Sequence, residues 1–169
     1  MAMNALAALS AAVHLAGFSE DMYGRIARAL EGFAPIAGRG VRRGIPVPGG
    51  KILLLDESYN GNPASMRAAL EHFAVRAGDR RRIAVLGDML ELGPGAPGYH
   101  REIRDLVEEL GIEHVIAVGE LAREYSGDWV ATAAEAAERL RAELRPGDAV
   151  LVKGSLGVGL AVVAENLTA

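Results

Sequence analysis

The 169-residue sequence contains no cysteine, which excludes disulfides and thiolate metal sites and accords with a reducing compartment, the cytoplasm. No hydrophobic run reaches the length of a membrane span. The Ala-rich opening from Met1 to Gly17 holds Asn4 and His14 and lacks both a basic start and a cleavage site. It reads as a buried amphipathic helix, with no membrane insertion. A basic excess is missing too: residues 1–50 carry five Arg against three acids, but the remainder carries 13 basic against 19 acidic residues. That balance argues against a nucleic-acid partner over most of the chain. The phosphate loop G-x-x-x-x-G-K-[ST] occurs nowhere. His14, His72 and His114 stand singly with no metal-ligand spacing, no Ser-His-Asp order is suggested, and no internal repeat appears.

What is present is a change of pattern along the chain. Helical spacing runs from about Asn4 to Ala16 and from about Glu20 to Phe33, the second with Met22, Ile26, Ala29, Leu30 and Phe33 on one stripe. Pro35 to Gly50 is rich in Gly, Pro and Arg and reads as a connection with one short strand around Val41, placing a domain boundary near Gly49 and Gly50. Beyond it, apolar runs at 52–55, 83–86, 115–118 and 149–152 have strand length and little polar alternation, as strands covered on both faces do. Helical stretches separate them: 63–77 with Met66, Ala69, Leu70, Phe73 and Ala77 on one stripe, 99–110 stopped by Gly111, and one after Thr132, where Thr132 and Glu135 stand at capping-box spacing. Such alternation implies an α/β fold, a Rossmann-like, mostly parallel sheet with helices on both faces.

In such a sheet ligands bind beyond the carboxyl ends of the strands, so the residues just after each apolar run carry the interest. The first loop is Asp56-Glu57-Ser58-Tyr59-Asn60-Gly61-Asn62, in which Asn62 suits an N-cap and Pro63 a first helical position. It delivers polar groups to a helix N-terminus that favours anions, or it merely turns the chain. Asp88 in Gly87-Asp88-Met89-Leu90-Glu91-Leu92 is a metal or hydroxyl ligand, or more simply a cap. Gly119-Glu120 is uninformative. Lys153-Gly154-Ser155-Leu156-Gly157 brings flexible backbone and one charge, suited to phosphate or carboxylate, or it is a glycine-rich turn with a surface lysine. Arg80, Arg81 and Arg82 read as a solvated turn.

Four motifs in this order, DESYNGNPASM, VLGDMLELG, HREI and LVKGS, resemble the C-terminal domain of the Mur ligases, in the branch that adds D-alanyl-D-alanine. The NALAAL helix and the Gly38-Arg39 pair resemble the end of that family's central ATP-binding domain. The resemblance divides the chain into residues 1–49, a short helical remnant of the central domain, and residues 50–169, the C-terminal domain. It implies an enzyme that phosphorylates the peptide carboxylate of UDP-N-acetylmuramoyl-tripeptide with ATP and Mg2+, after which the D-alanyl-D-alanine amine attacks the acyl phosphate. By position it assigns Asn4 to the adenine and Arg39 to the nucleotide. Asp56 falls to the ribose, with Tyr59, Asn60 and Asn62 in the same loop. Lys153, Gly154 and Ser155 face the incoming substrate.

Two residues depart from the family pattern: Gly61 stands where Ala is usual, a mild change, and Leu156 where Arg is common. The family's phosphate loop, magnesium ligands and UDP-binding domain have no counterpart in these residues. The expectation is therefore a fragment that is inactive alone, supplies no catalytic residue or metal ligand, holds neither ATP nor Mg2+ tightly, and self-associates through its N-terminal helices. Two other readings stay open at this point: a stand-alone nucleotide-binding or interaction module and, ranked lower because no Asp follows 115–118, a signalling receiver domain.

Overall fold

The computed structural model describes residues 38–168, together with Ser10, Ala11, His14, residues 24–26 and Arg28, all seven of which are helical. Asn4 and the remainder of the two expected N-terminal helices lie outside the described residues. The chain forms two compact units, Met1–Pro35 and Ile36–Ala169.

The second unit is a six-stranded sheet of order β1-β2-β6-β3-β4-β5. Its strands are β1 (Val41–Val47), β2 (Gly50–Glu57), β3 (Arg82–Gly87), β4 (His114–Val118), β5 (Asp128–Val130) and β6 (Ala149–Lys153). The helices are α1 (Pro63–Ala77), α2 (Ala96–Glu109), α3 (Ala133–Glu143) and α4 (Ala161–Thr168). Only β1 runs antiparallel to its neighbour; the other pairs are parallel. The expected α/β architecture is present.

Alternation along the strands supplies both cores. Leu55, Ala84, Leu86, Val115, Ala117 and Leu151 face α1 and α2, while Ile52, Leu54, Ile83, Val85, Ile116, Val118, Val150 and Val152 face α3 and α4. Both sides of the central strands are therefore apolar, which is why those stretches read as continuous hydrophobic runs. The expected N-cap at Asn62 forms, and with Ser65 it closes a capping box at the start of α1; the expected capping box of Thr132 with Glu135 forms at the start of α3.

Three features differ from the sequence reading. Pro48 and Gly49 (φ +84°) make a tight hairpin turn rather than a linker, and β1 pairs with β2 along its whole length, from Val41↔Asp56 to Val47↔Gly50. The structural division consequently falls at Pro35/Ile36, not near Gly50. β5 and α4 add elements at the far edge and the C-terminus. The arginine run is no solvated turn: Arg81 grips the buried Asp148 with two hydrogen bonds (Nε–Oδ1 3.0 Å, Nη2–Oδ2 2.7 Å), and Arg82 donates to the carbonyls of Leu110 and Gly78 at 2.8 and 3.0 Å. No helix among the described residues is long and apolar enough to cross a membrane.

Candidate functional site

The chain leaves β2 to one side through α1 and returns through α3 to place β6 between β2 and β3. The carboxyl ends of these three strands form the topological switch point, where a crevice opens in folds of this kind. The loops 56–62, 87–92 and 153–159 converge there.

Asp56 organises the first loop. Its Oδ1 accepts from the Ser58 amide (3.1 Å) and hydroxyl (2.7 Å), and its Oδ2 accepts from the amide of Gly38 (3.1 Å). Gly38 in turn accepts from the Tyr59 amide at 3.0 Å, and the Gly40 amide donates to the Asp56 carbonyl at 3.0 Å. This ladder carries Arg39 to the loop, and its guanidinium lies 3.9 Å from the centroid of the Tyr59 ring. Arg39, Asp56 and Tyr59 are thus brought together although the first two stand 17 positions apart in sequence. Beside them is a cleft of about 200 Å3, bounded by Gly38, Asp56, Tyr59, Leu156 and the side of α4. Asn62 caps α1, its Oδ1 accepting from the Ser65 amide at 2.9 Å.

The late loop is not the exposed charge that its composition suggests. Lys153 is 2% exposed, and its Nζ donates to the Asn60 carbonyl at 2.6 Å. Burial pushes its ammonium below the usual lysine range, and the nearby Glu57 carboxylate opposes that only in part. Ser155 donates to the Gly61 carbonyl (3.0 Å), accepts from the Leu90 amide (2.9 Å) and gives its own amide to the Asp88 carbonyl (3.0 Å). Gly61 and Gly154 pass so close that a Cβ on Gly61 would stand 2.5 Å from the Ser155 nitrogen. Alanine at 61 is therefore not a mild exchange in this chain, because the backbone of residues 154–155 would have to move.

Asp88 is a cap: its Oδ1 accepts from the Ala122 amide at 2.7 Å, at the start of a short 3-10 turn, Leu121–Tyr125. His100 is fully buried, and nothing in the sequence around it marks it as a site residue. Its Nε2 accepts from the Met89 amide (3.0 Å) and its Nδ1 faces the Ala96 carbonyl (2.7 Å), so the ring carries its proton on Nδ1. Tyr125 stacks on His100 with ring centroids 5.1 Å apart and donates to the Gly87 carbonyl at 3.2 Å. Burial and the nearby Asp88 carboxylate raise its hydroxyl pKa above the usual tyrosine range. The motif letters of HREI were legible, but nothing local in them reveals a partner eleven residues earlier.

Among the described residues, His114, Asp128 and Glu143 form the one group with metal-ligand proximity, their atoms within 4.8 Å of one another. It sits at the amino end of the sheet, and Arg139 already pairs with both carboxylates.

Comparison with known proteins adds the following. The family described as Mur ligase, glutamate ligase domain, matches residues 47–156. The UDP-N-acetylmuramoyl-tripeptide–D-alanyl-D-alanine ligase of Mycobacterium tuberculosis (strain CDC 1551 / Oshkosh) is 35% identical over 195 residues, covering 98% of this chain and 37% of that protein. A crystal structure of MurF from Acinetobacter baumannii superposes with a TM-score of 0.76 at 28% identity, over 98% of this chain and 37% of that one. The MurF ligase of Thermotoga maritima, solved in complex with ADP, shares the fold with a TM-score of 0.73 at 22% identity, over 94% of this chain and 35% of that one. The chain spans a little over a third of the length of the curated relatives it matches.

Proposed function

The chain belongs to the Mur ligase family, and from that premise we propose that residues 36–169, the unit that holds the whole sheet including β1, serve as the C-terminal domain of a ligase joining D-alanyl-D-alanine to UDP-N-acetylmuramoyl-tripeptide. Residues 1–35 then correspond to the tail of the central ATP-binding domain, and the work is done in the cytoplasm. The observation that carries this reading is the meeting of Arg39, Asp56 and Tyr59 at the switch-point crevice, beside the N-terminus of α1. Oδ2 of Asp56 accepts a single donor and keeps room for one ribose hydroxyl, an aromatic face and a guanidinium flank a base or phosphate, and the helix terminus favours negative charge.

Each of these groups binds or orients; none performs bond chemistry. Acyl-phosphate formation requires cations arranged around the transferring phosphoryl group. Mg2+ would supply that charge in the whole ligase, but the described crevice residues do not fit it. Both Asp56 oxygens already accept from amide or hydroxyl donors, which leaves no chelating pair for a cation, and among the described residues the one ligand-like cluster is at the other end of the sheet. No step is assigned to a metal held here. The chain by itself should bind nucleotide weakly and turn over none.

The test is amide chemical-shift mapping of the full chain with millimolar ADP, with D-alanyl-D-alanine added separately. Perturbations should concentrate at 38–40 and 56–62 for ADP. ADP shifts confined to the amino end of the sheet, or ATP turnover by chain free of contaminating ATPase, would defeat the reading.

A further inference from the structure

We infer that Lys153 and Ser155 are positioning residues that hold the loop 56–62 in place, and are not ligands of the incoming substrate. The inference rests on the proposed nucleotide role of that loop only for its functional consequence; the geometry stands without it. Lys153 reaches from the end of β6, whose neighbour in register is Glu57 on β2, and closes on the Asn60 carbonyl. At 2% exposure it has no surface left to offer a substrate. Ser155 satisfies one acceptor in each of two loops, the Gly61 and Asp88 carbonyls, and accepts from a third backbone group, the Leu90 amide. The absent side chain at Gly61 lets the two loops approach to the distance these bonds need. Residues 153–155 therefore fasten loops 56–62 and 87–92 to one strand end, so that the two loops move as one block.

A charge is used where a neutral donor would do less. A hydrogen bond from an ionised donor is roughly twice as strong as a neutral one, and it is aimed at the middle of a loop that lacks regular structure. The desolvation that accompanies it makes Lys153 a poor contributor to global stability. Local order and global stability should thus separate on substitution, which a residue of purely structural use would not show.

The experiment is amide hydrogen exchange by NMR on the full chain, with ADP and D-alanyl-D-alanine titrations alongside. In Lys153→Met, the hydrogen-bonded amides of Tyr59 and Asn62, which flank Asn60 and Gly61, should exchange about tenfold faster, while Val85 and Ile116 in the sheet stay as in the parent. Ser155→Ala should loosen the same amides and Leu90 together. Because the chain has no other cysteine, Lys153→Cys can be alkylated under denaturant with 2-bromoethylamine and refolded, restoring an ammonium at lysine's reach. That product should recover the parent exchange pattern. ADP affinity should fall severalfold in Lys153→Met, and the response to D-alanyl-D-alanine should be unchanged.

Parent-like exchange at Tyr59 and Asn62 in both variants overturns the inference, as does uniform loosening of every strand. So does loss of the D-alanyl-D-alanine response with the loops still protected. If ADP shifts nothing even in the parent, the nucleotide reading fails, whereas the exchange data still decide the positioning role.

Discussion

The two ends of the sheet use polar side chains in opposite ways. At the amino end, long cationic side chains cross between finished elements: Arg81 to Asp148 and to the Glu143 carbonyl, Arg82 to the C-terminal turn of α2, Arg139 to Asp128 and Glu143. At the carboxyl end, Asp56, Ser155, Lys153 and His100 bond chiefly to main chain in irregular loops. The first pattern joins helices to strands and concerns stability. The second sculpts backbone that has no ladder of its own, as a binding crevice requires. Substitutions at the two ends should therefore separate stability from ligand response.

The largest effect is expected for Arg81→Met. Asp148 would keep a carboxylate 4% exposed with its bidentate partner gone, and breaking a buried pair from one side costs about 3 kcal/mol or more. Urea unfolding should show a lower midpoint at unchanged slope, with ADP-induced shifts still located at 38–40 and 56–62. A pH series sharpens this. Burial opposes ionisation of Asp148, but the Arg81 guanidinium and the Arg145 amide outweigh it and hold the carboxyl below the usual range. Stability from that group is then fully present above the unfolded value of about 3.9 and is lost as pH falls below it. Asp148→Asn should flatten that part of the curve. A cost under about 1 kcal/mol for Arg81→Met would erase the proposed contrast.

Next comes Gly61→Ala at the other end. The added methyl meets main chain at 2.5 Å, and overpacking of this sort costs roughly 1 to 3 kcal/mol. Its signature should be local: displaced amide shifts for 58–62 and 154–156, with little change around Asp148. Asp56→Ala follows. It removes an acceptor for three donors and should cost about 1 to 2 kcal/mol, since each net bond contributes about 1 and water replaces part of the loss at a half-buried site. In a full-length ligase carrying this domain it should also raise the ATP Michaelis constant. Unchanged ATP kinetics would remove the nucleotide role from this loop while leaving its structural one.

How much of this was legible depended on whether the cause was local. Continuous apolar runs, helical stripes, the Asn62 N-cap and the Thr132–Glu135 capping box are written in consecutive residues, so the sheet's central strands and α1 could be bounded closely. β1 could not, because Pro48-Gly49 and the Gly and Arg around it look alike in a linker and in a hairpin; only pairing with β2 distinguishes them. In the crevice, the residue types were legible from the loops and from the family resemblance. Their orientation was not. Whether Lys153 points to water or inward is decided by the Asn60 carbonyl, 93 positions away, and whether Asp56 is free is decided by Gly38, across the β1–β2 hairpin. The arginine run reads as a solvated turn for the same reason, since Asp148 is 67 positions from Arg81.

The smallest effects give the most selective comparison, because the two capping boxes are chemically alike and differ mainly in place. Asn62 accepts from the Ser65 amide at 2.9 Å beside the crevice, and Thr132 accepts from the Glu135 amide at 3.2 Å after the edge strand β5. Replacing either by alanine removes one side-chain acceptor from a helix terminus and should cost about 1 kcal/mol. Thermal melts of Asn62→Ala and Thr132→Ala should therefore nearly coincide. Their ligand responses should not. Asn62 closes the loop that starts at Asp56 and fixes where the α1 amides point, so its loss should weaken ADP-induced shifts at 56–62; Thr132 follows β5, three strands away from β6, and should leave them intact. Equal weakening in both variants would mean that the effect travels through general stability. The crevice would then lose its claim to a function separate from the rest of the sheet.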